Sequence, residues 1–240
     1  MSMSTRRIRA IFRKELREYR HHPSIILAVA IFPLIFLIQP LIIVFIAPSA
    51  SSDALGRYHV LLYMLAIPVL TPAMLAGYTV AGERQQGTLE PVLTTPVRRE
   101  EFLLGKALAV LVPSVAIAYA VYVFFLTCVV LFAQPTVASG LLLAPDVLAQ
   151  VVLTPLLAAW STLIGVAIST RSSDVRVAQQ LSLLANMPLV VVTSLIAFNV
   201  IPVTPGLAIG LGTLLLLADV AGWRFVSPLF DRERLISGTR

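Results

Sequence analysis

The chain has 240 residues, 58% of them hydrophobic and only 12% charged, with a strongly positive mean hydropathy of +0.91 and a formal net charge of +6. Soluble domains carry about 25% charged residues, so this composition excludes an ordinary soluble domain and requires an integral membrane protein. The single cysteine, Cys128, lies in an apolar run and excludes both an internal disulfide framework and a Cys-rich metal site.

Residues 5–22 predict an amphipathic helix at the membrane interface. Ile8, Ile11, Phe12, Leu16 and Tyr19 fall within about 140° of one face at 100° per residue, and the opposite face is basic. Glu15 breaks the pattern, because it sits in the middle of the apolar arc. Either the protein supplies it with a partner or it snorkels at the rim. Six apolar runs follow, at residues 24–47, 58–81, 107–133, 141–169, 177–201 and 206–223. Each approaches or exceeds the ~20 residues needed to cross a ~30 Å hydrocarbon core. The first is much longer than the ~7–15-residue apolar region of a secretory signal, so it is expected to be retained.

The basic residues set the orientation. Of 18 Lys and Arg, seven precede the first span, four lie between the second and third, two between the fourth and fifth, and four follow the sixth; only Arg57 falls on the other side. Retention of basic residues on the cytoplasmic side places both termini and residues 83–106 in the cytoplasm of a multi-pass cell-membrane protein. The positive charge is then topological, and no nucleic-acid partner is implied. The outer connections are short and hold no domain.

Polar residues inside the spans are few. Gln179, Ser182, Asn186 and Thr193 fall within about 60° of one another on the fifth span. They face either a transport path or second subunit, or neighbouring helices through hydrogen bonds. Asp219, one turn from the cytoplasmic end of the sixth span, reads as an anchor reaching water or Arg224, with a proton relay as the alternative. Prolines occur in five of the six spans, where they remove backbone hydrogen bonds and favour kinks. Gly206 and Gly210 form a Gly-x-x-x-Gly, a weak signal for close helix approach.

Residues 83–106 are the longest hydrophilic interval. Gly87 permits a sharp reversal, Thr88 is a candidate N-cap, Glu90 suits the first helical turn, and Pro91 is tolerated in that turn. The sequence predicts a short surface helix from Leu89 to about Thr94, stopped by Thr95 before Pro96, and a second helix from Val97 that feeds the third span. No phosphate-binding loop is present: Gly82, Gly87 and Thr88 imitate its spacing but lack its lysine. His21, His22 and His59 have no metal-type spacing. No catalytic constellation can be assembled, so neither a catalytic residue, a metal nor a cofactor is expected in this chain.

Glu83, Gly87, Thr88, Leu89, Glu90, Leu93, Pro96, Arg99, Glu101, Gly105 and Lys106 together closely resemble the signature of ABC-2 family membrane subunits of ABC transporters. Lys14, Glu15 and Leu16 resemble that family's N-terminal interfacial helix. The chain departs from the usual pattern at Arg98, where a Ser or Thr often stands and would form a capping box with Glu101. The resemblance implies an all-α membrane fold of six transmembrane helices, with an N-terminal interfacial helix and a cytoplasmic coupling helix between the second and third. It implies a permease subunit of an ATP-driven exporter that pairs with a second permease, the same or homologous, and with two ATP-binding subunits that hold ATP and Mg. In such proteins the short helix after Gly-Thr docks on the ATPase, and the second and fifth spans line the path. The reading from a different class is a gradient-driven secondary carrier or channel, expected to show paired ionisable groups near the bilayer midplane.

Overall fold

The computed structural model describes residues 4–21, 23–45, 59–88, 98–135, 138, 141, 144–201 and 204–230. Among these residues the protein is all-α, with six helices long and apolar enough to cross a membrane. Helix α1 (Thr5–His21) precedes α2 (Pro23–Phe45), the first span. The second span consists of α3 (Val60–Tyr63), a 3-10 turn at Met64–Ala66, α4 (Ile67–Ala76) and α5 (Ala81–Gln85). The remaining four are α6 (Arg99–Phe132), α7 (Ala144–Arg171), α8 (Val175–Ala197) and α9 (Pro205–Val226), followed by a 3-10 turn at Ser227–Phe230.

The second span is the axis of the bundle. Its apolar window is 83% buried within the chain, against 11% for the sixth span. Such a span needs small residues where its neighbours press closest. A Cβ on Gly165 of α7 would lie 2.5 Å from the Ala76 Cβ, and one on Gly77 would lie 2.6 Å from Gln179 Cγ of α8. Glycine at both places lets three helices meet almost backbone to backbone. The outward faces carry exposed Leu34, Leu131, Leu184 and Leu217, as expected of surfaces solvated by lipid rather than water.

The sequence predicts one apolar second span whose prolines, Pro68 and Pro72, favour kinks, and the structure breaks it twice. Pro68 lacks the N–H that would bond to the Met64 carbonyl, and that carbonyl instead accepts from Ile67 in a 3-10 turn. The second break, at residues 77–80, lies deep in the protein, so its freed polar groups need partners. Ser169 of α7 supplies them: its Oγ accepts from Val80 N at 3.1 Å and Ala81 N at 3.0 Å and donates to the Gly77 carbonyl at 3.1 Å. The Thr79 carbonyl is left available to another donor.

The helix ends follow ordinary capping chemistry. Asp174 Oδ1 accepts from Arg176 N and Val177 N at the start of α8, and Thr204 Oγ1 accepts from Leu207 N at the start of α9. Gly87 has φ +67°, while Thr88 N donates to the Glu83 carbonyl and Gly87 N to the Arg84 carbonyl. This left-handed Schellman ending fixes the reversal expected of Gly87.

Candidate functional site

Four charged side chains from three separate stretches meet where α1 crosses the ends of the second and third spans. Lys106 of α6 is fully buried, and Glu15 of α1 and Glu83 of α5 are each 2% exposed. Lys106 Nζ donates to Glu15 Oε1 at 3.0 Å and to the Thr79 carbonyl freed by the break in the second span at 2.5 Å. It also lies 3.0 Å from Glu83 Oε2, an ionic contact outside hydrogen-bond geometry. Lys14 closes the cluster from the solvent side: its Nζ donates to Glu83 Oε1 and lies 3.3 Å from Glu15 Oε1 and 3.5 Å from Glu18 Oε2. The Phe102 ring centroid is 5.0 Å from Lys106 Nζ, within cation–π range.

The two lysines and the carboxylates of Glu15 and Glu83 balance in charge, which is what makes their burial tolerable. Burial by itself would lower the Lys14 pKa, but the carboxylates of Glu15, Glu83 and Glu18 more than offset this and hold it above 10.5. Tyr19 reaches the same region with a buried hydroxyl that has no partner among the described residues. Its pKa is pushed above 10.0, first by burial and then by the carboxylates of Glu15, Glu18 and Glu83.

A second contact holds α1 along α6. Glu101 accepts from Ser4 N at 2.7 Å, Arg98 N at 3.2 Å and Arg7 Nη1 at 3.4 Å. The Arg98 N–H bond is the half of a capping box that a glutamate can make; a guanidinium has no acceptor with which to make the other half. Between the two attachments Ile11 presses on Gly105: a Cβ there would lie 2.7 Å from Ile11 Cγ2. The signature glycine is therefore the floor on which the interfacial helix rests. Glu15 does not snorkel; the protein supplies its partner. Leu16 is half-buried on the other flank of α1.

The two ends of the 83–106 interval thus touch each other through Glu83 and Lys106. Arg99 begins α6, and Thr88 bonds back to the Glu83 carbonyl. Leu89, Glu90, Leu93 and Pro96, with the expected surface helix Leu89–Thr94, lie outside the described residues. Sequence reasoning missed the Thr79 carbonyl, Ser169 and the role of Arg84. The Arg84 guanidinium donates to the Ser172 carbonyl at 2.6 Å and the Thr170 carbonyl at 3.0 Å, capping the end of α7.

A family model described as "ABC-2 family transporter protein" matches residues 9–223. The chain belongs to the ABC-2 transporter family. As an ABC-2 protein it is a membrane permease component of an ABC transporter, a family that associates with ABC ATP-binding subunits and is generally not itself catalytic. The matched region takes in Lys14, Glu15, Glu83 and Lys106; Ser4 and Arg7, which hold Glu101, precede it. A comparison with curated proteins returns no match.

Elsewhere in the permease, the polar stripe of α8 faces inward. Ser182, Asn186 and Thr193 are at most 2% exposed. Their side chains bond to carbonyls of α8 itself, at Ala178, Ser182 and Val190, while Gln179 Nε2 donates to the Met74 carbonyl of α4 at 3.1 Å. Asn186 Oδ1 is buried without a partner among the described residues. The anchor reading of Asp219 is corrected: both carboxylate oxygens are enclosed by protein and bond neither to Arg224 nor to any other described group. Gly210 of the Gly-x-x-x-Gly has nothing within 4 Å of its would-be Cβ among the described residues, so the motif brings none of the described helices close. On the opposite end of the bundle from the charge cluster, His59 Nδ1 lies 2.9 and 2.8 Å from the two oxygens of buried Asp146, joining the second and fourth spans.

Proposed function

We propose that this ABC-2 permease is the membrane subunit of an ATP-driven exporter, and that residues 83–106 carry the motion of the ATP-binding subunits into the spans. The observation that supports this most directly is the burial of Lys106 between Glu15 and Glu83. A load applied anywhere between Glu83 and Lys106 reaches the second span, the third span and α1 together, because an ionic contact closes the base of the interval and a buried glutamate of α1 shares its lysine. A loose solvated connector would dissipate the same load.

In this reading both termini and residues 83–106 face the cytoplasm of the cell membrane. Two ATP-binding subunits hold ATP and Mg, and a second permease, the same or homologous, completes the complex. Leu89, Glu90, Leu93 and Pro96 form the docking element, with Gly87 and Thr88 setting its exit from α5 and Arg99 and Glu101 setting its return into α6. A path along Gln179, Ser182, Asn186 and Thr193 opens by separation of the second and fifth spans, which now meet at Gly77 and Gln179. The unused Asn186 Oδ1 would then face the passing solute. Docking is tested by co-purification with the ATPase: Leu89→Asp should abolish it while membrane insertion survives, and retained binding with normal coupling would refute the assignment.

One observation favours a gradient-driven carrier as the second reading. Asp219 is an enclosed carboxylate in a spanning helix, without a partner among the described residues, the kind of group that relays protons in carriers. Transport that needs a proton gradient, is lost in Asp219→Asn and ignores ATP would select this reading; ATP-dependent transport retained in Asp219→Asn would dismiss it.

A further inference from the structure

A cavity of about 450 Å³ lies between α1, α2 and α6, with Leu75 of α4 behind it. That volume falls within the ~300–1,000 Å³ range of small-ligand sites. Its wall on α2 runs from Ile25 to Leu34, nine residue steps and so about 14 Å at 1.5 Å each. Half of a ~30 Å hydrocarbon core is about 15 Å, so the cavity has the depth of one leaflet. The lining is aliphatic, as with Val29 and Ile117, except where α1 contributes Tyr19 and Arg20. The charge is therefore confined to one end.

That end is strongly basic. Arg20 is exposed at the mouth, and Arg13 and Arg17 follow it back along the exposed side of α1. Among the described residues no carboxylate pairs with Arg13, Arg17 or Arg20; the nearby Glu15 and Glu18 contact Lys14 instead. An aliphatic slot one leaflet deep, opening under unpaired guanidiniums, is complementary to an acyl chain attached to an anionic phosphate.

We infer that the cleft between α1, α2 and α6 is a binding site for an anionic glycerophospholipid of the cytoplasmic leaflet, with one acyl chain along α2 and α6 and its phosphate at Arg20. The leaflet assignment rests on the cytoplasmic placement of α1 proposed above. The site adjoins the charge cluster through α1: Tyr19 lines the cleft, and Glu15 holds Lys106 one turn away. A bound lipid would wedge α1 between headgroup and cluster.

The full-length protein would be reconstituted in phosphatidylcholine vesicles doped, in both leaflets, with either phosphatidylglycerol or phosphatidylcholine carrying a photoactivatable acyl chain. Adducts would be mapped by mass spectrometry. The inference predicts phosphatidylglycerol adducts on Val29, Ala30 and Ile117 several-fold above the lipid-facing references Leu184 and Leu217. Arg20→Gln, a change at an exposed side chain, should bring them down to the phosphatidylcholine level, and Ala30→Phe should remove them by filling the slot. Equal labelling by both lipids, adducts no more frequent than at the references, or insensitivity to Arg20→Gln would each overturn it. Because the probe is in both leaflets, the adducts read the cleft whichever way the chain faces. Membrane-impermeant labelling of His21→Cys in a Cys128→Ser background reads the orientation separately.

Discussion

Lys106 has no access to water and lies against two glutamates from other parts of the chain. Removing one member of a buried ionic group leaves the others uncompensated, at a cost of about 3–5 kcal/mol. Lys14 still reaches Glu15 and Glu83, so Lys106→Met is expected to destabilise the purified protein by about 3 kcal/mol, the low end of that range. Adding Glu15→Gln should recover at least ~1 kcal/mol, because neighbouring sites in one network are not additive. Denaturant unfolding in detergent reads both numbers; strictly additive losses would mean that the two side chains are not energetically coupled. At this scale sequence could show that Glu15 was misplaced in an apolar arc, but not what corrected it. Its partner lies 91 positions away, and neither periodicity nor spacing carries information over that distance. The His59–Asp146 pair, 87 positions apart, was hidden for the same reason.

Among the elements, the second span combines the deepest burial with the most interrupted backbone. Ser169 makes that possible by serving three polar groups with one hydroxyl. Leaving buried N–H groups unsatisfied costs about 1–3 kcal/mol, so Ser169→Ala should lower stability by about that amount, whereas Thr170→Ala, whose hydroxyl bonds within its own helix, should cost less. A thermal shift comparison decides between them. The break at residues 77–80 was not legible in the sequence: hydropathy reports that residues belong in lipid, not where their N–H groups bond, and Pro68, which favours a kink, marks only the other break.

Attachment of α1 has a pH signature. Lys14 ordinarily titrates near 10.5 and Tyr19 near 10.0, and the fold raises both. For a raised pKa the folded state holds its proton longer than the unfolded state. The stabilisation is fully present below the unfolded value and is lost as pH rises toward the folded one. Melting temperature should therefore hold steady from neutral pH to about pH 10 as far as these groups are concerned, and fall above it. In Lys14→Met with Tyr19→Phe the alkaline fall should be shallower. A decline of the same steepness in that variant would contradict the assignment.

For the whole molecule, the six spans were legible because a bilayer selects for composition and length, and the signature was legible as a pattern. The pattern did not explain its own members. Gly105 turns out to be the seat of Ile11, Lys106 the hub of the charge cluster, and Glu101 the anchor of Ser4 and Arg7. The physical content of the motif is a junction of α1 with two spans, assembled from residues on both sides of a segment that would meet the ATPase.

Whether that junction transmits motion is tested by the modification rate of Asn186→Cys in a Cys128→Ser background, in the assembled transporter with its ATPase, nucleotide-free and then vanadate-trapped. If ATPase closure reaches the interface of the second and fifth spans through Lys106, the rate changes several-fold on trapping, and the change is lost in Lys106→Met while the complex still co-purifies. An intact Lys106→Met complex with the same nucleotide-dependent change would contradict the coupling role of the cluster.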